Sequence, residues 1–182
     1  MIKLEPLSRR DFHIIVEWNR ETSPEFLIQW AGPVFSYPLT EKQLEDFLSS
    51  GSQEKDTPMY FYKIVDEASG KMTGIAELGK IDLQNRSARI GRFLINQKDR
   101  GKGIAGLVLE KLFSYGFTEL GLHKITLGVF DFNEAAIAAY EKAGMKKDGL
   151  MRDHRRVGDE YWSLYEMSIL EEEWRGNRDV AE

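Results

Sequence analysis

The chain has 182 residues, of which 42% are hydrophobic and 30% charged, and it contains no cysteine. That length suits one domain of ordinary size burying its own core, and the missing thiols exclude a disulfide framework, a thiolate zinc site and a cysteine nucleophile. A formal net charge of -5 argues against a nucleic-acid partner, since such domains carry a basic face.

The first residues, Met1 to Asp11, lack the apolar core of a leader, and no apolar run approaches a membrane span, so a cytoplasmic location without a membrane partner is expected. Ile2 to Leu7 reads as a strand ending near a proline. A helix follows from about Ser8 or Asp11 to Arg20, with Ile14, Ile15 and Trp18 at helical spacing on its buried face. Residues 24 to 39, rich in aromatics and prolines, form a structured loop or helix-loop segment. Thr40 with Gln43 reads as a capping box opening a helix that ends near Ser50. The polar stretch Gly51 to Pro58 reads as a surface loop.

Three strand patterns come next, at 59 to 66, 72 to 83 and 87 to 95, broken by Ala68-Ser69-Gly70 and Gln84-Asn85-Arg86; these turns predict an antiparallel meander. Beyond them lie a helix from about Gly103 to Glu119, a strand at 123 to 130, a helix from Asn133 to Ala143, and two strands near 146 to 157 and 161 to 170. The order is mixed, with one βαβ-like crossover in the middle. Residues 171 to 182 read as a charged surface tail. His13, His123 and His154 lie far apart without paired spacing, so no metal site is expected.

The stretch from Phe93 to Gly106 joins a short apolar strand, a glycine turn and a helix start. A helix N-terminus aims unpaired amides and partial positive charge at what precedes it, which makes this segment an anion cradle. Gly101, Gly103 and Gly106 have no Cβ, so a phosphate can approach the backbone. A pyrophosphate would sit on the amides from about Lys102 through Ile104 and Ala105 to Gly106, with Arg100 or Lys102 adding charge.

Gly101-Lys102-Gly103-Ile104-Ala105-Gly106 also fits the dinucleotide pattern G-x-G-x-x-G. In such a site the strand runs almost directly into the first glycine, whereas five polar residues, Asn96 to Arg100, separate Ile95 from Gly101 here. Asp131, after the next strand pattern, keeps an oxidoreductase reading open. A P-loop fails sooner, because Gly103 stands where Ser or Thr would hold magnesium.

Read from Arg100, the turn becomes Arg100-x-x-Gly103-x-Ala105, and residues 133 to 145 place Asn133, Ala139, Tyr140 and Gly144-Met145 in order downstream. The pair resembles the two signatures of the GNAT superfamily of acyl-CoA N-acyltransferases, and the element order matches that family over nearly the whole chain. The resemblance implies one GNAT domain over 1 to 182: an α+β fold with a mixed, mostly antiparallel sheet, flanking helices and a splayed central strand pair. It implies acetyl-CoA as cosubstrate with no metal, direct transfer to a primary amine, and an acceptor that is a small molecule or a protein N-terminus. The Trp30-Ala31-Gly32-Pro33 segment and long final hairpin look most like the branch of ribosomal-protein N-terminal and polyamine acetyltransferases. Sheet edges in similar proteins are often paired, so a homodimer is one expectation.

By the same resemblance, the strand residues Phe93, Leu94 and Ile95 carry a bulge and pair with the pantetheine arm and the thioester. Asn133 would hydrogen-bond that arm and Tyr140 would give a proton to the departing thiolate. Seven residues separate these two, so both project from one helix face. Glu77, a carboxylate in the apolar pattern Met72 to Gly79, is the candidate base. Similar proteins often carry an acid just before the Ile-Gly of the splayed strand, where this chain has Arg89 before Ile90-Gly91. Asp153, His154 and Glu160 are weaker base candidates, and Trp30, Phe35 and Tyr37 either line the acceptor or serve as packing. A rival reading is an acyl-CoA-binding or sensing module of the same fold that lacks a competent base.

Overall fold

The computed structural model describes residues 1–50 and 58–179. The expected loop over 51–57 and the end of the expected tail, 180–182, lie outside the described residues. The chain divides into two compact units, Met1–Ile81 with Ile90–Ile104, and Asp82–Arg89 with Ala105–Glu182.

The first unit contains β1 (Ile2–Pro6), α1 (Phe12–Asn19), α2 (Pro24–Ala31), α3 (Glu41–Ser49), β2 (Tyr60–Asp66), nearly all of β3 (Met72–Asp82) and the second half of β4 (Ser87–Ile95). The strands are ordered β1-β2-β3-β4. β1 pairs antiparallel with β2, Ile2 opposite Asp66, and β2 antiparallel with β3, Tyr60 opposite Leu78 and Phe61 opposite Glu77. The helices begin where short polar side chains replace missing backbone partners. Ser23 accepts from the Phe26 amide at 3.2 Å, with Pro24 in the first helical turn, and Thr40 accepts from the Gln43 amide at 3.3 Å. Such caps contribute about 1 kcal/mol each. The capping box expected at Thr40 is only half formed, because the Gln43 side chain turns away to the backbone of Ser36 and Pro38.

The core of this unit is an aromatic file. Trp30 and Phe35 lie 6.0 Å apart, Phe35 and Phe47 5.5 Å, and Phe47 and Phe61 6.0 Å. The Trp30 indole N–H donates to Asn19 Oδ1, and the Asn19 amide donates to Ile15 O, so α2 is tied to α1 by a fully satisfied buried link. This corrects the expected acceptor wall: Trp30 and Phe35 are buried core. Tyr37 stays partly exposed, and its hydroxyl donates to Thr22 O.

The second unit contains the first three residues of β4, most of α4 (Ile104–Ser114), β5 (Lys124–Phe130), α5 (Glu134–Lys142), β6 (Lys146–Val157), β7 (Glu160–Leu170) and α6 (Glu171–Asp179). Its strand order is β4-β5-β7-β6. β4 pairs parallel with β5 over Ser87–Arg89 and Lys124–Thr126, the crossover that the element order predicts. β5 and β6 pair antiparallel with β7. The expected helix to Glu119 is α-helical only to Ser114, and Tyr115–Glu119 widens into a π turn. Gly116 lies in that turn, and a Cβ there would stand 2.7 Å from Ile125 Cδ1, so helix and strand approach closely.

The expected charged tail is instead helical. Glu171, Glu172 and Glu173 begin α6, where acidic groups suit the helix dipole. Trp174 is buried, its ring 5.4 Å from Phe117 and its indole N–H donating to Glu110. No helix among the described residues is long and apolar enough to cross a membrane.

Candidate active site

The turn after β4 matches the expected cradle in its backbone. Gly101 and Gly103 adopt φ of +76° and +74°, the left-handed region that glycine enters freely. A Cβ built at Gly101, Gly103 or Gly106 would meet no atom within 4 Å, so the segment borders open space. α4 starts at Ile104 with no acidic residue in its first turn, leaving its N-terminal amides and dipole unopposed there. The two cations beside the turn are partly engaged. Arg100 Nε donates to Ile95 O at 3.1 Å, with the guanidinium 5.6 Å from the Phe26 ring centre, and Lys102 pairs with Asp99 at 2.6 Å.

β4 leaves regular strand geometry one residue before Phe93. Arg92 has φ of +43°, a left-handed conformation that costs a non-glycine residue roughly 1–2 kcal/mol. Beyond it, Leu94 is buried and its carbonyl faces β3, since a Cβ at Gly74 would stand 2.5 Å from Leu94 O. The Asn96 amide donates to Thr73 O on the same side. Of the three expected strand residues, Leu94 serves the core, while Phe93 and Ile95 are half-buried.

Glu77 is buried in the middle of β3, and it forms an ion pair with Arg92. Gly79 makes room for its carboxylate: a Cβ there would approach Glu77 Oε1 to 2.5 Å. Burial pushes the Glu77 carboxyl above its ordinary value of 4.5, against the pull of the Arg92 guanidinium and, more weakly, of Lys80. The guanidinium lies over the Phe47 ring, 4.3 Å from its centre, an arrangement that favours a cation. Arg92 Nε is buried with no hydrogen-bond acceptor, which costs about 1–3 kcal/mol. Arg92 is a site residue that local sequence does not single out. Its signal was a pair of opposite charges on the buried faces of adjacent strand patterns, Glu77 in β3 and Arg92 in step with buried Ala88, Ile90 and Leu94.

In the second unit, Asn133 caps α5, its Oδ1 accepting from the Ala136 amide at 3.3 Å. Capping uses the oxygen and leaves the Nδ2 donors for another group. Tyr140, two turns along, is half-buried, and burial pushes its hydroxyl up to about 12. Arg89 forms an ion pair with Glu166 and donates to Thr126 Oγ1 at 3.4 Å. Asp153, His154 and Glu160 are exposed. Among the described residues no group of three or more His, Cys, Asp or Glu could hold a metal ion.

The family model of the GNAT acetyltransferase domain matches residues 2–146. The chain belongs to the GNAT family. It is 33% identical over 109 residues to the putative ribosomal N-acetyltransferase YdaF of Bacillus subtilis, covering 60% of this chain and 59% of that protein. It is 31% identical over 111 residues to the spermidine N(1)-acetyltransferase of Vibrio cholerae, covering 61% of this chain and 64% of that one. The aligned stretch thus spans less than two thirds of these relatives. Among solved structures, the Vibrio cholerae spermidine N-acetyltransferase in complex with CoA and spermine superposes with a TM-score of 0.81 at 25% identity, over 96% of this chain and 98% of that one.

Proposed function

We propose that this GNAT protein works as a single functional domain that transfers the acetyl group of acetyl-CoA directly to a primary amine. The observation that carries the reading is the left-handed turn at Gly101 and Gly103, bordering open space and leading into an acid-free helix start. Backbone amides from Lys102 to Gly106 hold the pyrophosphate, and Arg100 and Lys102 add positive charge beside it. The strand end at Phe93, Leu94 and Ile95 lies along the pantetheine arm and the thioester carbonyl, where a backbone amide stabilises the oxyanion. Asn133 binds the arm through Nδ2.

The acceptor arrives mostly as an ammonium ion and must lose a proton before its nitrogen attacks. Glu77 takes that proton, directly or through a water; its raised pKa brings it nearer to neutral pH than an exposed carboxylate. As the C–N bond forms and the C–S bond breaks, Tyr140 hydrogen-bonds the departing sulfur and gives it a proton, and the second proton shed by the nitrogen as the amide forms returns through water to restore the Tyr140 hydroxyl. With a pKa of about 12 it is fully protonated throughout the working range. The chain has no thiol to acylate, which fits direct transfer. A protein N-terminus, or a small polyamine such as the spermidine of the named relatives, is the acceptor class.

The melting temperature with saturating acetyl-CoA, and separately with NADH, tests the cofactor assignment, because a ligand of the folded state raises it. A rise with acetyl-CoA alone is expected. A rise with NADH alone returns the glycine turn to its dinucleotide reading.

A further inference from the structure

We propose that Arg92 is a positioning residue that couples the kink of β4 to the carboxylate of Glu77, setting the thioester-facing backbone and the base with one side chain. The kink and the clamp meet at this residue. Its backbone is left-handed, φ +43°, immediately before Phe93. Its guanidinium grips Glu77, lies 4.3 Å from the centre of the Phe47 ring, and keeps Nε buried without an acceptor. A residue chosen only for stability would be glycine at this backbone position or an apolar side chain against Phe47. Two local costs held in one residue beside a ligand cradle mark a functional constraint.

The space around the carboxylate supports the same assignment. Gly79 presents no side chain to Glu77, and a Cβ there would lie 2.5 Å from Glu77 Oε1. The charged groups acting on Glu77 are Arg92 and Lys80, and the aromatic neighbour of the clamp is Phe47 on α3. The carboxylate is thus aimed chiefly by Arg92. The inference rests on the acetyltransferase reading for its consequence, while its geometry can be tested without turnover.

Three substitutions separate the kink from the clamp. Arg92→Gly keeps the left-handed backbone and removes the clamp; Arg92→Val disfavours the backbone and removes the clamp; Arg92→Lys keeps a cation. The readouts are the Glu77 titration midpoint, from carboxyl 13C shifts of glutamate-labelled protein assigned with Glu77→Gln, together with kcat and the KM for acetyl-CoA. In Arg92→Gly the midpoint rises by about one to three pH units and kcat falls at least tenfold, with KM within threefold of the parent. Arg92→Lys returns part of both changes. Arg92→Val raises KM at least fivefold above that of Arg92→Gly. An unmoved midpoint in Arg92→Gly, or equal KM values for the glycine and valine variants, overturns the proposal. Full activity in Glu77→Gln would instead remove Glu77 as base, while the midpoint and KM comparisons still judge Arg92.

Discussion

Arg89 on β4 and Glu166 on β7 form an ion pair that reaches over β5 at Gly128, where a Cβ would stand 2.6 Å from Arg89 Nη2 and 2.9 Å from Leu164 Cδ2. Arg89 is thus a cation of β4 whose acid partner comes from another strand. Both side chains are about 70% buried, so removing one partner strands the other.

Gly128→Ala should destabilise the protein by about 1–3 kcal/mol through overpacking. The double variant Gly128→Ala with Arg89→Ala should recover part of the steric loss, because the nearest obstructing atoms are gone. Urea unfolding of the four proteins in the cycle measures the coupling. Strict additivity would show that the guanidinium does not occupy the space over Gly128.

Gly106→Ala separates stability from function. The added Cβ meets no atom within 4 Å, and alanine in the first turn of α4 should stabilise by about 0.5–1 kcal/mol. The same Cβ enters the open space assigned to the pyrophosphate, so acetyl-CoA affinity should fall at least threefold. Calorimetric titration and thermal melting on one preparation check both signs.

Tyr140→Phe should cut kcat at least tenfold while leaving acetyl-CoA affinity within threefold. With the hydroxyl raised to about 12 by burial, its ionisation should produce no decline in rate between pH 7 and 10. Stopped-flow thiol release across that range tests the point. Unchanged turnover in the variant removes Tyr140 from the acid role.

Two carboxyls should drive stability in opposite directions with pH. Glu77 has a raised folded pKa, so its contribution is fully present below about 4.5 and is lost as pH rises through the folded value. For Asp11, burial raises the pKa but is outweighed by bonds from Ser8 and Lys63, so the folded value lies below the ordinary one. Its contribution is present above about 3.8 and is lost as pH falls through the folded value. Asp11→Asn should therefore weaken the protein at neutral pH and converge with the parent in acid, whereas Glu77→Gln should differ from the parent most at neutral pH. Denaturant midpoints across pH 3 to 8 give both curves.

Much of this fold was legible because local signals agreed. The strand limits at 87–95 and 146–157 and the two signature helices follow from alternation, breakers and caps read over short windows. The glycine turn was legible because only glycine tolerates its φ values cheaply. What escaped was non-local. Whether Trp30 and Phe35 line a cleft or fill a core depends on partners such as Asn19 and Phe47, which neither residue's neighbours in sequence reveal. The segment from Glu171 reads as a tail because its charges hide the buried Trp174, whose partner Glu110 lies on another helix. Arg92, which pairs with Glu77, and Glu166, which pairs with Arg89, escape a local reading because an ion pair is a property of two strands and each member alone resembles a solvated residue.

The most direct measurement of the central claim is thiol release from acetyl-CoA on adding amines: spermidine, a peptide with a free N-terminus and the same peptide N-terminally blocked and lacking lysine. The account predicts release with at least one free amine, a matching mass gain of one acetyl group on that amine, and none with the blocked peptide. Tight acetyl-CoA binding with no release for any amine would contradict it and leave a cofactor-binding module of the same fold.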